Sequence, residues 1–300
     1  MQRDKLNLNL YIQLKHKVKT KTILIDIGSI NNNPKECIMN TTYSLSPGNT
    51  GMLISMPHNG ENIPKHIAKT MTNNALKVAD TDWYIDKLYD FAKTMGIYTI
   101  SPKYSRYVID LNRDPSGEAL YVGQNNTELC PTTSFNSLPL YLNNNTPTAR
   151  EITDRIEQYW YPYHSALKNT LMALKQKYGK VILLDAHSIL SNVPRFFEGK
   201  LPDFNFGTAD GLSCDEAMVE SIKNLNFEPF SCVYNERFKG GYITRAYGDP
   251  KNGIHAIQLE LSQDTYLNET NSHYDEIKAE QVKKHLKMVV KCLVNYSNQN

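Results

Sequence analysis

Two strings far apart in the chain carry residue types that bind metal. They are His58-Asn59-Gly60-Glu61 and Asp185-Ala186-His187-Ser188, each placed just after an apolar run. A catalytic Zn²⁺ takes three nitrogen or oxygen ligands from the protein and keeps a fourth position open for water or substrate. His58 and Glu61 supply two such candidates close together, and His187 closes the set. A ligating imidazole also needs an acceptor behind its other ring nitrogen, and Asp185 stands two residues before His187 to help hold that geometry. The layout is that of a mononuclear zinc hydrolase. If Glu61 is not the third ligand, Asp82 of Asp80-Thr81-Asp82-Trp83 is the natural replacement as an oxygen donor.

These side chains need a frame. Met52 to Met56 is a short apolar run ending at Pro57-His58, which predicts a buried strand delivering His58 at its carboxyl end. Val181 to Leu184 is a continuous apolar run, too short for a helix, and predicts a central strand covered on both faces that ends at Asp185-Ala186-His187. Ile257, Leu259 and Leu261 alternate with Gln258 and Glu260, so a strand here turns Glu260 away from the core and toward a cleft. Tyr98 to Ile100 and Tyr107 to Leu111 also read as strands.

Ile85, Leu88, Tyr89 and Ala92 recur at helical spacing, with Asp80 to Asp82 as the start signal. Thr148 and Glu151 form a capping-box pattern before a long helix that Pro162 should bend, and Tyr274 to Leu293 reads as a closing helix. His164, on the long helix, reads as a packing histidine. Phe196-Phe197 and residues 202–211 lack regular pattern and could form a lid. Alternating strands and helices define an α/β class with a mixed, mostly parallel central sheet flanked by helices.

The chain has 300 residues, of which 40% are hydrophobic, enough for a real core. A net charge of +2 gives no global field to attract nucleic acid or anionic membrane, so any recognition of anions falls to local arginines. The 5 cysteines include no C-x-x-C pair and are odd in number, which argues against a disulfide framework and for a reducing, cytoplasmic setting. No Gly-x-Ser-x-Gly elbow is present. Residues 1–38 differ in texture, with Leu6, Leu8, Leu10, Ile12 and Leu14 alternating with polar residues. They read as an extension of uncertain structure before a single catalytic domain over residues 39–300.

Seven strings carry a family likeness: Leu53 to Gly60, Asp80 to Trp83, Arg106 to Arg113, Asp185 to Ser188, Arg195 to Gly199, Gly240 to Arg245 and Gln258 to Leu261. Together they resemble the N-formylglutamate amidohydrolase (deformylase) family, from about Met39 to the C-terminus. The resemblance implies a zinc-carboxypeptidase-like fold, one Zn²⁺ per chain, and hydrolysis of the small molecule N-formyl-L-glutamate to formate and L-glutamate, a last step in one route of histidine degradation.

A formamide is a poor electrophile and water a poor nucleophile; a bound Zn²⁺ that lowers the pKa of its water toward about 7 answers the second problem. Glu260 is the expected general base and acid, a role the corresponding glutamate has in related acylases. Arg106 is the expected cation for the oxyanion. Two substrate carboxylates call for planar, bidentate arginines. Asn112 with Arg113 resembles the carboxylate-binding pair of those acylases, and Arg245 lies in the family's Gly-rich loop. Two alternatives stay open: a zinc deacylase for another N-acyl amino acid, and a catalytically silent metal-binding homologue.

Overall fold

The computed structural model describes residues 42–118 and 126–298 together with the strand Ile38–Met39. All of these belong to the compact unit Lys35–Asn300. The expectations for the extension fall almost wholly on residues 1–37, outside the described residues.

An eight-stranded sheet runs through the molecule in the order β1-β2-β4-β3-β5-β8-β6-β7. The strands are β1 Ile38–Met39, β2 Tyr43–Ser46, β3 Met52–Ser55, β4 Tyr98–Pro102, β5 Val181–Ile189, β6 Phe204–Gly207, β7 Cys232–Tyr234 and β8 Ile254–Ser262. The central four, β4, β3, β5 and β8, run parallel to one another. The antiparallel joints lie outside them, β1 on β2, β2 on β4 and β6 on β8.

The apolar runs explain why β3 and β5 lie inside. Strand residues alternate between faces, and both faces of these strands are covered. Ile54, Ile182, Leu184, Ile257 and Leu259 pack with Met218 and Ile222 of α5 (Glu216–Lys223) and with Val282, Leu286, Val289 and Leu293 of α7 (Glu276–Ser297). Leu53, Val181, Leu183 and Ala256 face the other way, onto Tyr163, Leu167, Leu171 and Leu174 of α4 (Tyr161–Tyr178). Three layers result, helix on sheet on helix.

The α4 side of the sheet changes character along its length. In register, Leu53 pairs with Leu183 and Leu183 with Ala256, whereas further on Ser55 pairs with Asp185, Asp185 with Gln258 and His187 with Glu260. One face therefore passes from apolar to polar toward the carboxyl ends. There the chain also reverses direction of travel, from β3 to β4 on one side and then back to β5 on the other. A crevice opens at such a switch point in α/β sheets.

The helices follow their signals unevenly. Thr148 caps α3 (Ala149–Arg155) with the reciprocal bonds of a capping box to Glu151. Between α3 and α4 the chain passes through a π-helical turn, Ile156–Trp160, and Pro162 follows it as the second residue of α4. Short helices α1 (Lys65–Ala68), α2 (Ile85–Leu88) and α6 (Tyr242–Tyr247) flank the crevice loops.

Three expectations are corrected. Tyr107 to Leu111 is no strand: Val108 N–H bonds to Ser105 and Asp110 N–H to Leu129, so the segment is a loop, and its apolar side chains mimic a strand because the loop is buried. Asp80 to Asp82 do not start a helix. The residue before α2 is Tyr84, in the left-handed region, and the acids turn inward instead. Residues 202–211 do not form a lid, since Phe204–Gly207 is strand β6, paired with β8. Among the described residues, no helix is long and apolar enough to cross a membrane.

Candidate metal centre and active site

His58 follows β3 by three residues, His187 sits near the end of β5, and Asp82 arrives on the loop before α2. Asp82 N–H is held by the His58 carbonyl at 3.1 Å, and its carboxylate Oδ2 accepts from Ser188 N–H at 3.1 Å. Val78 and Tyr84, on either side, take φ of 45° and 56°, left-handed conformations that cost a branched or bulky residue energy and mark a backbone over-determined by its surroundings.

The three side chains converge while buried. His187 Nδ1 lies 3.1 Å from His58 Nδ1 and 3.2 Å from Asp82 Oδ2, and His58 Nδ1 lies 3.8 Å from that oxygen. Ligands at 2.0–2.2 Å around one tetrahedral ion sit about 3.3 Å apart, so these spacings suit one small cation.

The far side of each ring fixes what the near side offers. His58 Nε2 meets Asp110 Oδ1 at 2.7 Å, and His187 Nε2 meets Asp185 Oδ2 at 3.0 Å. A carboxylate oxygen only accepts, so each Nε2 donates to its carboxylate, and in the neutral ring that a metal ion requires each Nδ1 keeps a lone pair for the inward point. Two imidazole lone pairs and a carboxylate oxygen aimed at one point are the chemistry of a cation site. His58, Asp82 and His187 are thus the residues that could hold a metal ion.

The expectation had left Glu61 and Asp82 open, and the structure brings Asp82, not Glu61, to the histidines. Glu61 is exposed and lines a separate surface recess of about 560 Å³ with Asn59, Asp86 and Lys103. Three residues of extended loop after His58 carry Glu61 outward; a helix there would have returned it to the same side.

Asp110 organises the floor. Its Oδ1 also accepts from Asn112 N–H at 2.9 Å, and its Oδ2 accepts from Arg106 Nη2 at 2.6 Å. Burial alone would raise this carboxyl, but the Arg106 guanidinium, His58 and Arg113 outweigh it and hold it well below the usual carboxylate range. Arg106 Nη1 reaches 3.2 Å from His58 Nδ1, beside the metal-binding point. Burial lowers His58, helped by Arg106; His187 would be lowered by burial too, but Asp185 and Asp82 carry it well above the ordinary value. Asp110 was not among the expected site residues. It lies four residues after Arg106 in a buried loop, where no periodicity marks it.

Glu260 faces the same cavity as His58 and His187. Burial pushes its carboxyl up to about 8, with Asp82 and Asp185 adding to the rise and His187 and Arg106 opposing it. A group with that affinity can both take and give a proton near neutral pH. The cavity is narrow, about 70 Å³, and Arg106, Arg113 and Arg237 stand in its wall.

Two expected contacts are placed differently. Asn112 does line the cavity, but its amide is spent on the protein: Nδ2 donates to Asp185 Oδ2 at 3.1 Å and Oδ1 accepts from Ile243 N–H at 2.8 Å. It ties the back of His187 to α6. Gly241 makes this possible, because a Cβ there would stand 2.3 Å from Asn112 Nδ2. Arg245 is exposed on α6, donates from Nε to the Gly240 carbonyl at 2.9 Å, and is not among the residues lining the cavity. Arg237, which was not singled out, stands there instead; no motif spacing marked it. Arg113 lines the cavity and donates to the Thr127 carbonyl and hydroxyl at 3.1 and 2.8 Å.

A mixed α/β sheet with an inward-facing His-Asp-His set at the carboxyl ends of its central strands defines the class, a hydrolase-like α/β domain with a candidate metal centre. Residues 50–267 match the family model described as N-formylglutamate amidohydrolase. Over 259 residues the chain is 42% identical to an N-formylglutamate deformylase of Pseudomonas putida, covering 85% of this chain and 97% of that protein. A second N-formylglutamate deformylase, from Pseudomonas aeruginosa, is 43% identical over 233 residues, covering 77% and 87%. The crystal structure of N-formylglutamate amidohydrolase from Ralstonia eutropha shares the fold, with a TM-score of 0.73 at 21% identity, covering 86% of this chain and 99% of that one. This chain belongs to the N-formylglutamate amidohydrolase family.

Proposed function

We propose that this chain hydrolyses N-formyl-L-glutamate to formate and L-glutamate at one Zn²⁺ held by His58, Asp82 and His187. The observation that carries the reading is the inward-facing pair of Nδ1 atoms, each ring backed by a carboxylate, opening on a narrow cavity walled by arginines. The names of the Pseudomonas relatives support the formyl substrate.

A divalent ion in this donor set supplies Lewis acidity and a more acidic water. Glu260 takes a proton from the attacking water and passes it to the leaving nitrogen as the C–N bond breaks. Arg106 is fixed through Nη2 by Asp110, and its Nη1, 3.2 Å from His58 Nδ1, stands beside the centre as the cation that stabilises the developing oxyanion. Arg113 holds a substrate carboxylate. Asp110, Asp185 and Asn112 position the imidazoles. The catalytic domain is taken as residues 39–300. A cytoplasmic place in histidine breakdown follows from the cysteine pattern and the family likeness.

The test is formate release from N-formylglutamate by metal-depleted protein before and after zinc is restored, with N-acetyl- and N-succinylglutamate beside it. Zinc-dependent turnover that prefers the formyl compound is expected. Equal turnover of the three, or activity untouched by metal removal, contradicts the proposal.

A further inference from the structure

Resting on that reading of the site, we infer that Arg237 is the residue that reads the side-chain carboxylate of the substrate. Its case is geometric. The cavity wall contains a row of alternating cations and rings: Arg106 lies over the Phe135 ring at 4.8 Å, Phe135 meets Phe196 edge-on at 5.0 Å between centroids, and Arg237 lies 5.7 Å from the Phe196 ring. Arg106 is the end of this row that touches His58. Arg237 is therefore separated from the metal-side guanidinium by two aromatic rings.

An N-formyl amino acid placed with its formyl carbon at the His58 end carries its α-carboxylate near the reacting amide and its side-chain carboxylate three carbons beyond the α-carbon. The distal guanidinium is the one that such a side chain reaches.

Arg237 is built for recognition of a planar anion. Its Nε donates to the Phe196 carbonyl at 2.5 Å, and Phe238 flanks it at 5.4 Å in addition to Phe196. The carbonyl and the ring faces hold the guanidinium in place, so less side-chain freedom is lost when a carboxylate binds. The rings also lower the local polarity, which strengthens a charge-assisted pair.

The experiment compares kcat/KM for N-formyl-L-glutamate with that for N-formyl-L-glutamine, which has the same length and no side-chain charge, in zinc-loaded wild type, Arg237→Met and Arg237→Lys. Hydrogen bonds to a charged group correspond to a loss of about 10- to 100-fold. Arg237→Met is expected to lose that much on the glutamate compound, mainly through KM, and far less on the glutamine compound, so the preference collapses. Arg237→Lys, which keeps the charge and loses the fork, is expected to fall between, and it carries the same ratio test if the methionine variant does not fold. Equal losses on both substrates, or an unchanged ratio, overturn the assignment of Arg237 alone. Formate from neither substrate with wild type overturns the proposed function and this inference together.

Discussion

At the scale of single residues, the site depends on which group stands behind which. Glu260→Gln keeps size and shape and removes the proton acceptor, so it should retain metal while kcat falls about 10²- to 10⁴-fold; metal analysis beside a formate assay checks both. Asp110→Asn should act differently. It leaves Arg106 without the carboxylate at 2.6 Å and lets the His58 ring lose its fixed tautomer, so metal affinity should weaken about 10- to 100-fold, as read by competition with a chelator. His58, His187 and Glu260 were legible because each follows an apolar run or interrupts one with period two. Asp110 and Arg237 were not, because a buried loop and a wall residue carry no periodicity.

At the scale of elements, His164 shows how a helix braces the site loop. It stacks on Trp160 at 3.7 Å, donates from Nε2 to the Leu111 carbonyl at 2.8 Å and accepts the Tyr247 hydroxyl at Nδ1, also 2.8 Å. Burial lowers its pKa from 6.5 to about 3, so the folded protein holds it neutral. The unfolded chain takes up a proton as pH falls below 6.5, hence its contribution is fully present above 6.5 and is lost progressively toward about 3. His164→Gln should flatten the dependence of stability on pH in that window by up to one proton, about 1.4 kcal/mol per pH unit, in urea unfolding between pH 4 and 7. Gly241→Ala pushes on Asn112 and through it on Asp185 and His187. A displacement of that kind should lower kcat/KM about 100-fold while the metal stays bound. Strands β3, β5 and β8 could be read from the chain because burial on one or two faces writes itself into the pattern. The loop over Tyr107 to Leu111 could not, since its burial is imposed by long-range packing that local spacing does not encode.

At the scale of the whole molecule, the sheet brings together residues 129 positions apart in sequence, His58 and His187, by pairing β3 with β5 in a single register. The third donor comes from a loop whose acids look, in sequence, like the start of a helix. For that reason Asp82 and Glu61 could be separated only in three dimensions. The most direct test is zinc content per chain, measured on purified wild type, Glu61→Ala and Asp82→Ala proteins after equilibration with the same free zinc. One zinc per chain in wild type and Glu61→Ala, and loss of it in Asp82→Ala, is the predicted result. Retention in Asp82→Ala with loss in Glu61→Ala would contradict the centre described above.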